Sequence, residues 1–220
     1  MAEVTRLSVE ETPITVWDPV VRLGHWALVI AFAVAYLTAK EESGSPDVLH
    51  VWGGYAIGGI VVLRVLWGFV GPRYARFSDF VCGPVGALRY LLDLTSGHAR
   101  RYVGHSPAGG AMVVALLACL AATVAAGIVA YGGAGKGPLA AERAVVVTTA
   151  YPEEKESGAA AVETDGSEGQ ESAIGELHGA LANVTLALVI LHVLGVGVAS
   201  FAHRENLVVA MVTGNKREKV

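Results

Sequence analysis

Residues 177–203, LHGALANVTLALVILHVLGVGVASFAH, decide the fold of this chain. The stretch contains no Asp, Glu, Lys or Arg, and it exceeds the roughly 20 residues with which a helix crosses the hydrocarbon core of a bilayer. It therefore predicts a membrane-spanning helix with His178 and His192 inside it and His203 at its end. An ionisable side chain at membrane depth is costly, so it is usually kept for a cofactor, a relay or a partner.

Three other apolar runs have the length of a membrane span. Leu23 to Ala39 carries no formal charge, the second run is interrupted only by Arg64, and the third is free of formal charge from Tyr102 to Gly135. The predicted spans are residues 22–40, 48–70, 107–131 and 173–203. We therefore expect one all-α domain over residues 1–220, an integral membrane bundle of four helices.

The composition supports this expectation. Of the 220 residues, 53% are hydrophobic and only 16% are charged, which lies outside the usual soluble range. The N-terminal segment contains Glu3, Glu10 and Glu11 and lacks the apolar core of a cleavable signal peptide, so we expect the first span to act as the anchor. The two cysteines form no CxxC or CxxCH motif. We expect membrane lipid around the spans and no nucleic-acid partner.

The distribution of charge predicts the orientation, because short cytoplasmic loops are enriched in Lys and Arg. Basic residues dominate the connector between the second and third spans and the segment after the fourth. Residues 132–172 are acidic overall, and we expect them to form a flexible periplasmic loop, since such a tract buries too little apolar surface to order itself. Both termini are then predicted to be cytoplasmic.

Four histidines are predicted to form two pairs at two depths of the membrane. His178 and His192 are 14 residues apart, so they share a helix face and are separated by about 21 Å along the axis. The predicted topology puts His50 level with His178, and His25 level with His192. Opposed imidazoles from facing helices can ligate haem iron, which predicts two haem b groups. The alternative is a set of hydrogen bonds between helices.

Other residues have two interpretations at this stage. Gly54 follows His50 closely and would let a flat macrocycle approach the backbone, but small residues also simply pack membrane helices together. Arg64 and Arg22 would pair with haem propionates, although positive-inside bias and snorkelling also explain Arg22. His105 would exchange a quinone proton or would be a solvated residue at the start of the third span.

Several motifs carry a resemblance to a known family. They surround the histidines and the basic connector, and they are VWDPVVRLGHW at 16–26, LHVWGGY at 49–55, WGFVGPRYARF at 67–77, ELH at 176–178 and HRENL at 203–207. With these motifs the chain resembles the bacterial cytochrome b561 family, among four-helix di-haem cytochromes b that include hydrogenase b-type subunits. The acidic segment 132–172 departs from the compact family pattern.

The resemblance implies a function and a location. It implies two b haems on the positions that match His25, His50, His178 and His192, with electrons exchanged with a quinone such as ubiquinone and with a periplasmic cytochrome c or another redox partner. It implies a multi-pass protein of the bacterial inner membrane. Quinol or quinone oxidoreductase activity, the redox partner and the oligomeric state, including a homodimer, are left open.

Two other functions are left open by the residues. The chain would serve as the membrane anchor and electron outlet of a larger oxidoreductase, with the acidic loop as its docking surface. Alternatively, it would be a metal-ion or proton transporter that uses the histidines as ligands or relays. The transporter predicts acidic residues within the spans, and none lies in the apolar core of any span; Glu176 is in the first turn of the fourth.

Overall fold

The computed structural model describes residues 13–39, 47–140 and 165–217. Seven helices are assigned within these ranges, together with a 3-10 turn at Arg73–Ala75 and two short strands. The strands are β1 (Pro13–Thr15) and β2 (Asn215–Arg217). The helices are α1 (Pro19–Leu37), α2 (Val48–Val70), α3 (Phe77–Phe80), α4 (Pro84–Thr95), α5 (Pro107–Gly133), α6 (Asp165–Ala202) and α7 (Leu207–Thr213).

Four of the helices are long and apolar enough to cross a membrane. The candidate spans are Pro19–Leu37, Val48–Val70, Pro107–Gly133 and Ala173–Ala202. Large apolar side chains such as Leu23, Ile30, Leu66 and Phe201 are exposed on them, which suits helices that meet lipid rather than water. The predicted all-α integral membrane bundle is confirmed.

The helix ends differ from the predicted limits for identifiable reasons. α1 begins at Pro19 instead of residue 22, because Asp18 caps it by accepting hydrogen bonds from the backbone N–H groups of Val20 and Val21 at 2.9 and 3.2 Å, and Pro suits the first helical position. α6 begins at Asp165, so the last part of the predicted flexible loop 132–172 is helical. Residues 141–164 of that loop, and Glu3, Glu10 and Glu11, lie outside the described residues.

The chain divides into two compact units, each described here by itself. The first unit comprises Met1–Ala27, Leu63–Val114 and Leu191–Val220, and the second comprises Leu28–Val62 and Ala115–Ile190.

In the first unit, a two-stranded antiparallel ribbon joins segments from far apart in the sequence. β1 pairs with β2 so that Ile14 lies opposite Lys216, and the carbonyl of Gly214 accepts hydrogen bonds from the N–H groups of Val16 and Trp17 at 2.8 and 3.0 Å. The buried core beside the ribbon consists of Val16, Trp17, Val21, Ala75 and Ala210. Because the strands pair, the segments before α1 and after α7 lie on the same side of the membrane.

In the second unit, small residues bring the helices close together. A Cβ added at Gly53 would lie 3.0 Å from Cβ of Ala35, and one added at Gly58 would lie 3.1 Å from Cγ1 of Val124. These glycines therefore let α2 approach α1 and α5, which is the usual use of small residues in membrane helices. Tyr36 also donates a hydrogen bond to Oδ1 of Asn183 at 3.0 Å.

Candidate cofactor site

The second unit brings His50 and His178 face to edge. Their ring centroids are 5.8 Å apart and their planes are at 90°. Nδ1 of His50 lies 2.8 Å from the carbonyl oxygen of Ala35, and Nδ1 of His178 lies 2.9 Å from that of Thr123. A carbonyl oxygen only accepts hydrogen bonds, so each Nδ1 carries the proton and donates it. Each Nε2 then keeps a free lone pair, which is the state required of a metal ligand.

Local structure explains the partner of His50. α1 ends at Leu37, so the carbonyl of Ala35 is one of the last four of the helix and has no regular partner within it. His50 lies in the first turn of α2 and donates to this carbonyl. The hydrogen bond that satisfies this carbonyl at the end of α1 therefore also fixes the tautomer of His50.

The first unit brings His25 and His192 together. Their ring centroids are 6.4 Å apart and their planes are tilted by 58°. Trp26 lies edge-on to His25 with a centroid separation of 5.2 Å. Nδ1 of His25 is buried, and it has no hydrogen-bond partner among the described residues.

The distances within both pairs fit axial ligation of one iron atom. A metal–imidazole nitrogen bond is about 2 Å long, and the ring centre lies roughly 1 Å beyond the nitrogen, so two imidazoles on opposite sides of a metal have centroids about 6 Å apart. The observed separations are 5.8 and 6.4 Å. In the described part of the chain no three or more His, Cys, Asp or Glu side chains are grouped to hold a bare metal ion, but a haem iron needs only two protein ligands.

Two arginines in the first unit have buried nitrogen atoms that no described residue satisfies. Nη1 of Arg64 and Nε of Arg22 have no hydrogen-bond partner among the residues that the structure describes. Arg64 lies over the ring of Phe77 at 5.3 Å from its centroid, whereas Arg22 donates from Nη2 to the carbonyl of Val212. A buried donor without a partner is costly, so these nitrogens suit carboxylates such as haem propionates.

Gly54 lies one helical turn after His50, on the same face of α2. A Cβ added there would meet no heavy atom of the described residues within 4 Å. No neighbouring helix therefore requires a glycine at this position, in contrast to Gly53.

His105 is half-buried and its Nδ1 is buried, so it is not a freely solvated residue at the helix entry. Its ring lies against Phe80 and Trp17, with centroid separations of 4.2 and 4.6 Å. Burial, followed by the positive charges of Arg64 and Lys216, lowers the pKa of His105 to about 3. No local pattern predicts this environment, because Phe80 and Trp17 come from distant segments.

A buried polar cluster that involves residues after α6 was not predicted from the sequence. Lys216 is only 6% exposed; it lies over the ring of Trp17 at 5.4 Å, and Nζ approaches the carbonyl oxygen of Gly104 at 3.5 Å. Glu205, which is 8% exposed, accepts a hydrogen bond from Arg101 at 2.9 Å. Both charges looked like solvated cytoplasmic residues, and no local pattern distinguishes them.

Four membrane spans with imidazoles paired across helices are the framework of a membrane cytochrome b. The family model of prokaryotic cytochrome b561 matches residues 16–214, and the chain belongs to this family. Comparisons with curated proteins and with solved structures gave no match. Family membership makes the chain a multi-pass b-type cytochrome that binds haem b and transfers electrons within the membrane.

Proposed function

We propose that the chain carries electrons across the bacterial inner membrane on two haem b groups and exchanges them with the quinone pool. The observation that carries the proposal is the presence of two imidazole pairs with centroid separations of 5.8 and 6.4 Å. His50 and His178 hold one haem, and His25 and His192 hold the other. α6 supplies one ligand to each pair, so a single helix links both sites.

The protein residues position and tune the cofactor. Each bound haem supplies a one-electron iron couple. The carbonyls of Ala35 and Thr123 hold His50 and His178 in the tautomer that presents Nε2. Arg64 and Arg22 bind propionate carboxylates through their unsatisfied nitrogens, and Gly54 leaves room for the macrocycle beside His50.

The external partners belong to the same proposal. The expected redox partners are a quinol or quinone, such as ubiquinone, and a periplasmic cytochrome c or another redox protein. Membership of the cytochrome b561 family supports electron transfer over a metal-ion or proton transporter. The acidic residues of segment 132–172 suit a positively charged partner.

The proposed orientation puts both termini in the cytoplasm. The ribbon of β1 and β2 requires their two segments to share one side of the membrane. Exposed arginines of the first unit suit the cytoplasmic side, and they are Arg73, Arg76, Arg89 and Arg100. Reporter fusions after residue 220 test this point: alkaline phosphatase is expected to be inactive there, and high activity would reverse the orientation.

Haem stoichiometry tests the proposal directly. The purified protein should show reducible b-type absorption bands and two haems per chain. His178→Ala and His192→Ala should each leave one haem, and the remaining haem should differ between the two variants. Phe201→Ala, which alters an exposed residue on the same helix, is the control and should keep both haems. Retention of both haems in either histidine variant would refute the ligand assignment.

A further inference from the structure

The ring of His178 lies directly against the backbone of α5 at Gly127. A Cβ added at Gly127 would lie 2.9 Å from Cε1 of His178 and 3.0 Å from its Nδ1. Real Cβ atoms essentially never lie within 3.0 Å of such an atom. Any residue larger than glycine at position 127 would therefore displace this imidazole ring.

Glycine at this position also gives the ring access to its hydrogen-bond acceptor. The carbonyl of Thr123 lies one helical turn before Gly127, where the regular partner of the carbonyl is the N–H of Gly127. A carbonyl oxygen has two lone pairs and can accept a second donor. His178 supplies that donor from Nδ1 at 2.9 Å, which requires the imidazole to sit beside the backbone of residue 127.

Two threonines hold α5 and α6 in the register that brings the ring of His178 beside Gly127. The hydroxyl oxygens of Thr123 and Thr185 are 3.2 Å apart, and Thr185 is completely buried. Each hydroxyl also lies 2.8 Å from the carbonyl oxygen four residues earlier in its own helix, that of Cys119 for Thr123 and that of Leu181 for Thr185. Because a hydroxyl has one hydrogen and two lone pairs, one threonine donates to its own helix carbonyl while it accepts from the other threonine. This hydroxyl contact lies two turns along α6 from His178, on the same helix face.

We propose that Gly127, with the hydroxyl pair of Thr123 and Thr185, positions His178 as a haem ligand. The three residues would thereby set the orientation of the His178 ring and the midpoint potential of the haem that it holds. The inference rests on the proposed ligation of haem by His50 and His178. Gly127 fixes the plane of the His178 ring, which stands at 90° to that of His50. The Thr123 carbonyl keeps the proton on Nδ1 and raises the basicity of the ligating nitrogen, as other partners of metal-bound histidines do.

The proposal predicts effects that ordinary helix packing would not produce. Perpendicular axial imidazoles give ferric low-spin haem a strongly anisotropic g tensor, so a rotated His178 ring reduces that anisotropy. A weaker hydrogen bond at Nδ1 makes the imidazole a poorer donor to ferric iron, and the midpoint potential of this haem rises. The haem held by His25 and His192 keeps both properties and serves as the internal control.

The test compares Gly127→Ala with Gly59→Ala in the haem-loaded, full-length protein. Gly59 lies in the same unit on α2, and a Cβ added there would meet no described heavy atom within 4 Å. We expect Gly127→Ala to reduce the g anisotropy and raise the midpoint potential of one haem, or to lose that haem alone. We expect Gly59→Ala to leave both haems as in the parent. His178→Ala identifies which signal belongs to the site.

The outcomes for Gly127→Ala and His178→Ala separate the positioning role of Gly127 from the proposed haem ligation. An unchanged Gly127→Ala protein, or one in which both haems shift equally, overturns the positioning role. If Gly127→Ala does not assemble, Thr185→Val provides the test, because it keeps the shape of the side chain and removes its hydroxyl contacts with Thr123, Cys119 and Leu181. It should raise the midpoint potential of the same haem, and no shift would overturn the proposal. Retention of both haems in His178→Ala would instead refute the proposed function.

Discussion

The rings of His50 and His178 stand perpendicular at 5.8 Å, whereas those of His25 and His192 are tilted by 58° at 6.4 Å. The two candidate haem sites therefore differ in geometry although their ligands are chemically the same. Each pair lies within one of the two compact units.

This difference predicts two distinguishable ferric low-spin signals in electron paramagnetic resonance. The signal with the more anisotropic g tensor should belong to the perpendicular pair. Crossed imidazole planes make the dxz and dyz orbitals of ferric iron nearly equal in energy, which increases the anisotropy. His178→Ala should remove that signal, and His192→Ala should remove the other. Two indistinguishable signals from the parent protein would contradict the ring geometry.

Substitution of Arg64 should lower the midpoint potential of the haem at His25 and His192. Arg64→Gln removes a positive charge whose Nη1 is buried without a partner in the described part of the chain. A charged hydrogen bond of about 1.5 kcal/mol corresponds to roughly 60 mV for one electron. Potentiometric titration measures the shift. Arg64→Lys keeps the positive charge and should lower the midpoint potential less than Arg64→Gln does. A rise in potential would show that Arg64 does not stabilise the reduced haem.

Removal of the cap at the start of α1 should destabilise the first unit. Asp18 accepts hydrogen bonds from the N–H groups of Val20 and Val21, and it also accepts one from Nε1 of Trp67 at 3.1 Å. Asp18→Ala should cost about 1–3 kcal/mol and lower the temperature at which haem is released. Asp18→Asn should cost less, since Asn is an equally good cap and keeps an acceptor oxygen. Equal losses in both variants would assign the effect to charge instead.

His105 should make the stability of the protein depend on pH below neutrality. The groups that act on its charge are Arg64, Lys216 and His192, and burial together with these charges lowers its pKa to about 3 from 6.5. Between these values the unfolded chain binds more protons than the folded one, so stability is complete above pH 6.5 and falls towards pH 3. The slope reaches about 1.4 kcal/mol per pH unit.

Thermal unfolding followed by circular dichroism between pH 7 and pH 4 measures this dependence. His105→Gln removes the titrating group and should flatten the curve. His98→Gln, which changes an exposed histidine, is the matched control and should keep the slope of the parent. An identical slope in His105→Gln and the parent would assign the loss of stability to other groups.

The apolar runs predicted the four spans because lipid imposes one simple requirement, about 20 apolar residues in a row. The spacing of His178 and His192 predicted which helix face carries the candidate ligands, since helix periodicity is local. The start of α1 was predicted three residues late because Asp18 and Pro19, which begin it, are not apolar.

Features that depend on distant segments could not be predicted. Burial of His105 depends on Trp17 and Phe80, and burial of Lys216 depends on pairing between β1 and β2, whose three-residue strands are too short to show an alternating pattern. The role proposed for Gly127 depends on where the ring of His178 meets α5. A glycine in an apolar helix carries no such information by itself.

The ribbon has a consequence for the order in which the protein matures. Thr15 and Asn215, which are joined by a side-chain hydrogen bond, are 200 positions apart, whereas the second unit ends at Ile190. During synthesis, every residue of the second unit has been made before β2 emerges from the ribosome. The ribbon that closes the first unit cannot form until translation has passed residue 217, so the His50 and His178 pair can assemble while the first unit is still incomplete.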